Sequence, residues 1–477
     1  MDERKLELVA DFYEFTMSNG FFAKNMTNQT AYFDLFFRKI PDDGGYVIFA
    51  GLEQIIDYVK NLKFSEEDIN YLRSKKIFSE GFLEYLRNFK FTGTIWSIPE
   101  GTVVFPNEPL ITVKAPIIEA QILETAMLCL INHQSLIATK SSRIVNAAKG
   151  RPVMEFGARR AHSVDAAVFG ARAAVIGGCV GTSCVLTAKE WNVPASGTMA
   201  HSFIQAFDSE YEAFKAYAEN YPDTCTLLID TYDTLNSGIK NAIKVFNEVI
   251  VPKGFRPNAV RLDSGDLAYL SKKIRTILDE AGFEDCKICG TNALDEYVIS
   301  SLLEEDAKID LFGVGENLIT AKSNPVFGGV YKLVAIEKDG KIIPKIKVSN
   351  NTIKITNPGF KKLYRFYDKS TNKALADVIT LNDEIIPEDK YTIFDPVSPW
   401  KKKELKNYTV RPLQELIFDN GELVYNSPDL NAIADNAKKE LDTLWDEVKR
   451  IKNPHKYYVD LSQNLWDLKN ELLENKK

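Results

Sequence analysis

The chain has 477 residues, of which 45% are hydrophobic and 26% charged, and its formal net charge is −7. This balance is typical of folded globular proteins, excludes a fibrous or disordered chain, and argues against a general nucleic-acid binder. Because a single hydrophobic core stops growing near roughly 250–300 residues, two or three domains are expected.

The amino terminus and the cysteines bear on location. Residues 1–5 lack the basic-then-apolar order of a signal peptide, and no run of about 18 apolar residues occurs, so a cytoplasmic protein without membrane contact is expected. Six cysteines are too few for a disulfide framework in a chain of this size and are interpreted as reduced thiols. Cys286 and Cys289 form an isolated CxxC, which is interpreted as two small residues on or beside a buried strand rather than a zinc site.

Residues 1–130 are predicted to form an N-terminal α/β domain. Helical stretches at 51–62 and 82–89 accompany β-type runs at 94–98 and 110–113, with proline- and glycine-containing turns between the strands. A long stretch of helical spacing follows over residues 118–148.

The middle of the chain, residues 131–328, alternates short apolar runs with helical stretches. The runs occupy residues 152–156, near 194–198, 225–230, 259–263, 287–290 and 309–312. Strands that alternate with helices in this way pair in parallel through right-handed crossovers. Six or seven such strands predict an irregular or incomplete (β/α) barrel rather than a doubly wound sheet.

Residues 329–477 are predicted to form a C-terminal region of β-hairpins and helices that packs partly on the N-terminal domain. Asp339-Gly340 is a strong hairpin signal between alternating runs. Residues 429–451 have helical spacing that includes Trp445, and Asn453-Pro454 follows as a stop signal. The predicted fold class is therefore α/β, with the barrel, a sandwich-like N-terminal α/β domain and a C-terminal β plus helix extension.

Polar residues suited to chemistry follow the predicted barrel strands, where the loops of a (β/α) barrel build the site. The segments are Glu155-Phe-Gly-Ala-Arg159-Arg160, Gly197-Thr-Met-Ala-His201-Ser202, Asp230-Thr-Tyr-Asp233, Arg261-Leu-Asp263-Ser-Gly-Asp266, Gly290-Thr291-Asn292 and Gly313-Val-Gly315.

Several of these residues suit an anionic ligand. Arg159 and Arg160 offer planar guanidinium groups to phosphate or carboxylate, and residues 140–160 hold six basic side chains against one acid. Glycines at 290, 313 and 315 can expose backbone N–H groups to an anion. This predicts a local positive patch in an acidic protein.

Carboxylates and a histidine complete the set. Asp263 and Asp266 can hold Mg²⁺ or contact ribose hydroxyls, although Ser264 or Asp266 could also cap the following helix. His201, one of four histidines, can accept a proton or a phosphoryl group near neutral pH, or can merely pack in a turn. Together with the basic groups, these side chains indicate a doubly phosphorylated sugar as the ligand.

The chain resembles the nicotinate phosphoribosyltransferase family of type II phosphoribosyltransferases over nearly its whole length. The motifs that carry the resemblance, in order, are Asp11-Phe-Tyr13-Glu-Phe-Thr16-Met17, Glu155-Phe-Gly-Ala-Arg-Arg160, Gly197-Thr-Met-Ala-His201-Ser202, Arg261-Leu-Asp-Ser-Gly-Asp266, Phe312-Gly-Val-Gly315 and the tail segment Asn453-Pro-His-Lys-Tyr-Tyr-Val-Asp460.

The resemblance implies a reaction of nicotinate with phosphoribosyl pyrophosphate that gives nicotinate mononucleotide and pyrophosphate. It further implies Mg²⁺, ATP as co-substrate in a ligase-type coupled reaction, and a role in NAD synthesis. His201 matches the histidine that ATP phosphorylates, and Asp263 is assigned with it to catalysis. Residues expected at the phosphoribosyl and pyrophosphate groups are Arg159, Arg160, Gly290, Thr291, Gly313 and Gly315.

The resemblance also implies how the pyridine is held. Tyr13 would stack on the ring from the partner subunit of a homodimer with shared sites, and Phe156 would form the opposite face. Thr198 and Arg261 match nicotinate-binding positions, and an arginine favours a carboxylate over an amide. Nicotinamide or quinolinate as the base, and a catalytically silent mononucleotide-binding dimer, remain alternatives.

One position departs from the family pattern. Many members carry a threonine directly after the Gly-Val-Gly turn as a phosphate contact, whereas this chain has Glu316. A carboxylate repels phosphate unless it binds metal or points away, so no phosphate contact is assigned to this residue.

Overall fold

The computed structural model describes residues 5–475. The chain divides into two compact units, one formed by residues up to Leu136 together with those from Val326 onward, the other by Ile137–Pro325. Among residues 5–475, none of the helices combines the length and the hydropathy that crossing a bilayer requires.

The first part of the chain contains the predicted mixture of helices and strands. In order these are α1 Phe12–Ala23, β1 Thr30–Phe37, β2 Val47–Ile48, α2 Leu52–Asn61, α3 Glu66–Ser74, α4 Glu80–Arg87, β3 Thr94–Ser97, β4 Val103–Val104, β5 Ile111–Pro116, α5 Ile117–Ile122 and α6 Glu124–Ala147. The helix predicted over residues 118–148 is thus two helices, α5 and α6, separated at Leu123.

The second unit alternates strands and helices after α6. The elements are β6 Val153–Glu155, α7 Val164–Ile176, α8 Val185–Trp191, α9 His201–Gln205, α10 Glu210–Asn220, β7 Thr226–Leu228, α11 Ile239–Val245, β8 Ala259–Leu262, α12 Leu267–Glu280, β9 Lys287–Gly290, α13 Glu296–Glu304, β10 Leu311–Val314 and α14 Glu316–Ile319.

The remaining chain is mostly antiparallel β-structure. Its elements are β11 Gly329–Lys338, β12 Lys341–Pro344, β13 Lys361–Asp368, β14 Ala374–Leu381, β15 Lys390–Phe394, β16 Lys402–Lys406, β17 Tyr408–Pro412, β18 Glu415–Asp419, β19 Glu422–Leu423, α15 Leu430–Thr443, β20 Val459–Leu461 and α16 Gln463–Glu474.

Two local predictions in this region have different outcomes. Asp339 and Gly340 connect β11 to β12 with positive φ values of 52° and 71°, so the predicted hairpin is confirmed. The predicted helix over residues 429–451 is wrong beyond Thr443, because Leu444 leaves the helix with an extended backbone (ψ 149°) and is buried. Trp445 lies outside the helix, and its indole N–H donates to the carbonyl of Ala374 at 3.1 Å.

A parallel sheet forms the centre of the second unit, and within the described residues its strand order is β6-β10-β9-β8-β7. Parallel bridges from Glu155 to Thr182 and from Thr182 to Ala195 continue it beyond β6. No pairing joins Ala195 to β7 in the part of the chain that the structure describes, so the predicted incomplete barrel is confirmed. The strand expected near residues 194–198 is only a bridge at Ala195.

In the first unit, strands from both ends of the chain share one sheet. Over residues 5–475 its order is β12-β11-β1-β5-β3-β18-β19, and a second sheet has the order β17-β13-β14-β20. Regions 1–130 and 329–477 are predicted as two domains, the second packing partly on the first. They contribute strands to one sheet here, because β1 pairs with β11 and β3 pairs with β18. A buried guanidinium, Arg365, binds Asp377 and Glu440 at 2.6 and 2.7 Å and ties β13 and β14 to α15.

Helix α1 is fixed at its amino end by a buried carboxyl. Glu14 accepts hydrogen bonds from the backbone N–H groups of Asp11 and Thr125, both at 3.2 Å. Burial raises the pKa of Glu14 to about 7, against the lowering effect of these bonds. The outward side of α1 leaves Phe12, Tyr13 and Met17 exposed, Tyr13 by 43%.

Candidate functional site

The candidate site lies at the carboxyl ends of the parallel strands in the second unit. Because all strands of a parallel sheet end on the same side, the loops after β6, β7, β8, β9 and β10 meet there. Five of the polar segments singled out in the sequence lie at the ends of these strands, and the sixth, residues 197–202, follows the bridge at Ala195. Hydrogen bonds connect several of them.

Arg261, on β8, is held by side chains from three segments. Its Nε–H donates to Thr291 Oγ1 at 3.0 Å, and Nη1 donates to Thr198 Oγ1 at 2.8 Å and to the carbonyl of Met199 at 3.3 Å. Nη2 donates to Asp263 Oδ1 at 2.8 Å. These contacts use four of the five N–H groups, and the side chain is 15% exposed. One Nη2 hydrogen is therefore left for a ligand, since no further partner lies among the described residues.

Asp263 connects Arg261 to the histidine. Its Oδ1 also accepts a hydrogen bond from the Thr291 hydroxyl, and its Oδ2 lies 3.7 Å from His201 Nε2. Burial alone would raise the pKa of Asp263, but the bond from Thr291 and the positive charge of Arg261 bring it below its ordinary value. Asp263 is therefore a carboxylate at neutral pH.

His201 is the first residue of α9 and takes its orientation from β7. Its Nδ1 lies 3.1 Å from the hydroxyl of Thr231, which follows β7 closely in the chain. The imidazole is 39% exposed, so it is not a residue packed inside a turn. Thr231 is the orienting residue that the sequence pattern does not single out, although its position just past a barrel strand is the signal that could have found it.

A second carboxylate, Asp230, lies beneath Asp263. Its Oδ2 accepts the backbone N–H of Asp263 at 2.6 Å and the hydroxyl of Ser264 at 2.8 Å. Its Oδ1 is buried and, among the described residues, has no hydrogen-bond partner. Asp230 is only 9% exposed, and the sequence gives it a place at a strand end without a role. A buried carboxylate oxygen without a donor suits a cation.

The carboxylates of the site suit Mg²⁺, although they do not enclose it. No group of three or more acidic, histidine or cysteine side chains in the described chain forms a complete metal cage. Mg²⁺ usually binds one or two carboxylates together with waters and substrate phosphates, so Asp230 and Asp263 fit it. Asp266 caps α12, because its Oδ1 accepts the backbone N–H of Tyr269 at 2.9 Å, so the capping interpretation is confirmed for this residue. Capping does not exclude a contact with Mg²⁺, which stays a prediction for Asp266.

The ring of Phe156 lies against Gly313 and near Thr291. A Cβ at Gly313 would lie 2.5 Å from Phe156 Cδ2 and 2.8 Å from Thr291 Cγ2. Glu155, buried before this phenylalanine, accepts hydrogen bonds from Thr182 Oγ1 at 2.6 Å and from the backbone N–H of Gly157. The ring of Phe156 therefore packs on Gly313, and the buried carboxyl of Glu155 holds the backbone that carries the ring.

The predicted glycine cradles have structural uses of their own. Gly290 and Gly313 are buried in β9 and β10, whereas Gly315 is partly exposed before α14. The backbone N–H of Thr291 donates to the carbonyl of Leu262 at 2.9 Å. The phosphate contacts expected for Gly290, Thr291, Gly313 and Gly315 stay predictions.

The basic patch is smaller than the sequence suggests. Lys140 and Arg143 are buried and pair with Glu296 at 2.8 and 3.0 Å, so these two of the six basic residues do not contribute to the predicted positive patch. Their long side chains reach the buried carboxylate from α6. Arg159 and Arg160 are exposed on a one-turn 3₁₀ helix.

The cysteine interpretation is confirmed. All six cysteines are free. Cys286 and Cys289 are buried, one just before β9 and one on it, and burial raises the pKa of each thiol to about 12.

Models of one protein family match most of the chain. Residues 8–132 match the model of the nicotinate phosphoribosyltransferase N-terminal domain, residues 152–378 that of the nicotinate phosphoribosyltransferase family, and residues 360–469 that of the C-terminal domain. The matches together include both units and the strand ends described above.

Individual relatives give the same result. A Bacillus subtilis nicotinate phosphoribosyltransferase is 46% identical over 99% of this chain and 96% of its own length. A Mycobacterium tuberculosis nicotinate phosphoribosyltransferase is 40% identical over 96% and 92%. The crystal structure of human nicotinic acid phosphoribosyltransferase superimposes with a TM-score of 0.86 at 28% identity, covering 98% of this chain and all of that one.

The packing of Phe156 on Gly313 generates a stability prediction. Gly313→Ala places a methyl group inside van der Waals contact with the ring and with Thr291, and overpacking of this kind typically costs about 1–3 kcal/mol. The free energy of unfolding, measured by urea titration, should fall by that amount. Gly197→Ala is the matched control, because a Cβ there meets nothing within 4 Å. Equal stability of the two variants would contradict the packing account.

Proposed function

The chain belongs to the nicotinate phosphoribosyltransferase family, and we propose that it joins nicotinate to phosphoribosyl pyrophosphate, giving nicotinate mononucleotide and pyrophosphate for NAD synthesis. The observation that carries this proposal is Arg261, whose guanidinium is fixed by Thr198, Thr291 and Asp263 with one N–H unused. The six free cysteines suit the reducing cytoplasm, where we place the reaction.

Recognition of nicotinate needs a cation for its carboxylate and a flat surface for its ring. Arg261 supplies the cation, and its fixed orientation reduces the rotamer entropy that binding would otherwise lose. Phe156, seated on Gly313, supplies an aromatic face close to Thr291. Nicotinamide lacks the charge that would pair with Arg261, so this set of residues favours the acid.

The transfer step needs alignment and charge rather than a protein nucleophile. The pyridine nitrogen forms a bond to the anomeric carbon of the ribose, while the bond from that carbon to pyrophosphate breaks and its electron pair leaves with pyrophosphate. Arg159 and Arg160, exposed at the same strand ends, suit the departing phosphates. Mg²⁺ bound with Asp230 or Asp263 would stabilise the negative charge of the leaving group.

ATP coupling is assigned to His201. In the tautomer whose Nδ1–H donates to the Thr231 hydroxyl, Nε2 carries the lone pair that attacks the γ-phosphorus of ATP, so that an N–P bond forms and ADP leaves. Water later cleaves the N–P bond and releases phosphate. Asp263, ionised and 3.7 Å from Nε2, holds the imidazole at the site and would stabilise the positive charge that the ring carries once Nε2 is phosphorylated.

Labelling with γ-³²P-ATP tests this assignment. The protein should acquire acid-labile, base-stable label in the presence of Mg²⁺ and lose it with EDTA. His201→Ala should abolish the label, whereas His162→Ala, which removes an exposed histidine from the loop after Arg160, should retain it. Label that persists in His201→Ala would overturn the phosphohistidine assignment.

We also propose a homodimer with shared active sites, in which Tyr13 of one subunit stacks on the pyridine ring bound by the other subunit. The support is the exposed aromatic and aliphatic side of α1, where Phe12, Tyr13 and Met17 are each at least 41% exposed. Solvent-exposed apolar side chains gathered on one helix face are typical of an interaction surface.

Complementation tests the shared site. Tyr13→Ala and Arg261→Ala should each be inactive, but hybrids of the two, co-expressed with different tags, should have one intact site and about half of the wild-type activity. Tyr13→Phe is the control that keeps the stacking ring. Inactive hybrids, or a monomer in sedimentation, would contradict the proposal.

A further inference from the structure

A protein carboxylate already lies beside one of the two arginines at the strand ends. Glu316 Oε2 is 3.7 Å from Arg160 Nε, and Glu316 Oε1 is 2.8 Å from Lys322 Nζ. The two partners of the first contact are open to solvent, Arg160 by 60% and Glu316 by 42%. An incoming phosphate group could therefore reach the same guanidinium.

Close backbone packing keeps Glu316 near Arg160. A Cβ at Gly157 would lie 2.8 Å from the carbonyl oxygen of Gly315 and 2.5 Å from Ile319 Cβ, so the turn that carries Arg160 rests directly on the start of α14. The backbone N–H of Arg160 donates to the carbonyl of Gly157 at 2.7 Å, which closes that turn. The two charged side chains therefore start from fixed neighbouring positions.

Glu316 is negatively charged at neutral pH. The hydrogen bond from Lys322 is the main cause that holds the pKa of Glu316 below its ordinary value, and the charges of Lys322 and Arg160 act in the same direction. A carboxylate repels a phosphate at close range and attracts the guanidinium that the phosphate needs. Both effects oppose phosphate binding at Arg160.

We propose that Glu316 is an internal competitor for Arg160, which lowers the affinity of this site for the phosphates of phosphoribosyl pyrophosphate and for the pyrophosphate product. The inference rests on the proposed function for the identity of the phosphorylated ligand. When the ligand binds, Arg160 exchanges the carboxylate for a phosphate oxygen and Glu316 stays with Lys322. Faster release of pyrophosphate is the consequence, because the same carboxylate re-forms its contact as the product leaves.

Glu316→Gln removes the charge while it keeps the size of the side chain. Exposed ion pairs are weak, so KM for phosphoribosyl pyrophosphate and the inhibition constant of pyrophosphate should each fall by about two- to fivefold. KM for nicotinate should not change. Asp306→Asn is the matched control. It also removes one carboxylate from an exposed ion pair, because Asp306 lies 2.9 Å from Lys308. Asp306 precedes β10, whereas Glu316 follows β10 at the carboxyl end of the sheet.

The increase in affinity for phosphoribosyl pyrophosphate and pyrophosphate must depend on Arg160. In Arg160→Met, Glu316→Gln should give a clearly smaller decrease in KM, because only the direct repulsion between carboxylate and phosphate is left to remove, whereas a charge effect that acts at long range would give the same decrease in both backgrounds. Calorimetric titration of the resting protein with Mg²⁺-pyrophosphate measures the same competition without turnover. A wild-type protein that fails to turn over nicotinate would therefore refute the proposed function and leave this test intact.

Three results would overturn the competitor role. The first is an unchanged affinity for pyrophosphate in Glu316→Gln. The second is a weaker affinity in that variant, which would mean that Glu316 helps to hold the ligand. The third is an equal change in affinity in Asp306→Asn.

Discussion

The guanidinium of Arg261 donates hydrogen bonds to Thr198, Asp263 and Thr291, which belong to three different loops at the strand ends of the barrel. This arrangement depends on strand register: Arg261 on β8 lies beside Leu228 of β7 and Cys289 of β9, so the loops after these strands start at matching heights. Thr291, directly after β9, then reaches both Arg261 and Asp263. A shift of one residue in either pairing would turn these side chains to the other face of the sheet.

The charges of the site follow from that fixed arginine. Asp263 is ionised because Arg261 and Thr291 stabilise its charge, and its free oxygen faces His201. Asp230 supports the backbone of Asp263 from below and keeps one buried oxygen without a donor among the described residues. Arg261 thus contacts Asp263, and Asp263 in turn lies beside His201. A change at Arg261 would therefore alter the surroundings of His201.

Features that depend on local spacing could be predicted from the sequence. The alternation of strands and helices predicts the incomplete barrel, and Asp339-Gly340 predicts its hairpin. Arg261 and Asp263 lie at the carboxyl end of one strand, as expected. Features that depend on partners distant in the sequence could not. The burial of Lys140 and Arg143 requires Glu296, the orientation of His201 requires Thr231, and the state of Arg160 requires Glu316.

The end of α15 is a further example. Helical spacing continues past Thr443 in the sequence, but tertiary contacts of Leu444 and Trp445 end the helix there. Sequence periodicity records which residues are apolar and does not record which neighbouring element buries them. For that reason the shared sheet of β1, β11, β3 and β18 was also beyond prediction from the sequence pattern.

The most direct test of Arg261 as the carboxylate receptor compares kcat/KM for nicotinate and for nicotinamide in the wild-type protein and in Arg261→Gln. The wild type should prefer nicotinate strongly, and in the variant the ratio of kcat/KM for nicotinate to that for nicotinamide should fall by about 10- to 100-fold, as expected for the loss of a charge-assisted hydrogen bond. A wild type that uses both pyridines equally, or a variant that keeps the full preference, would contradict this role of Arg261.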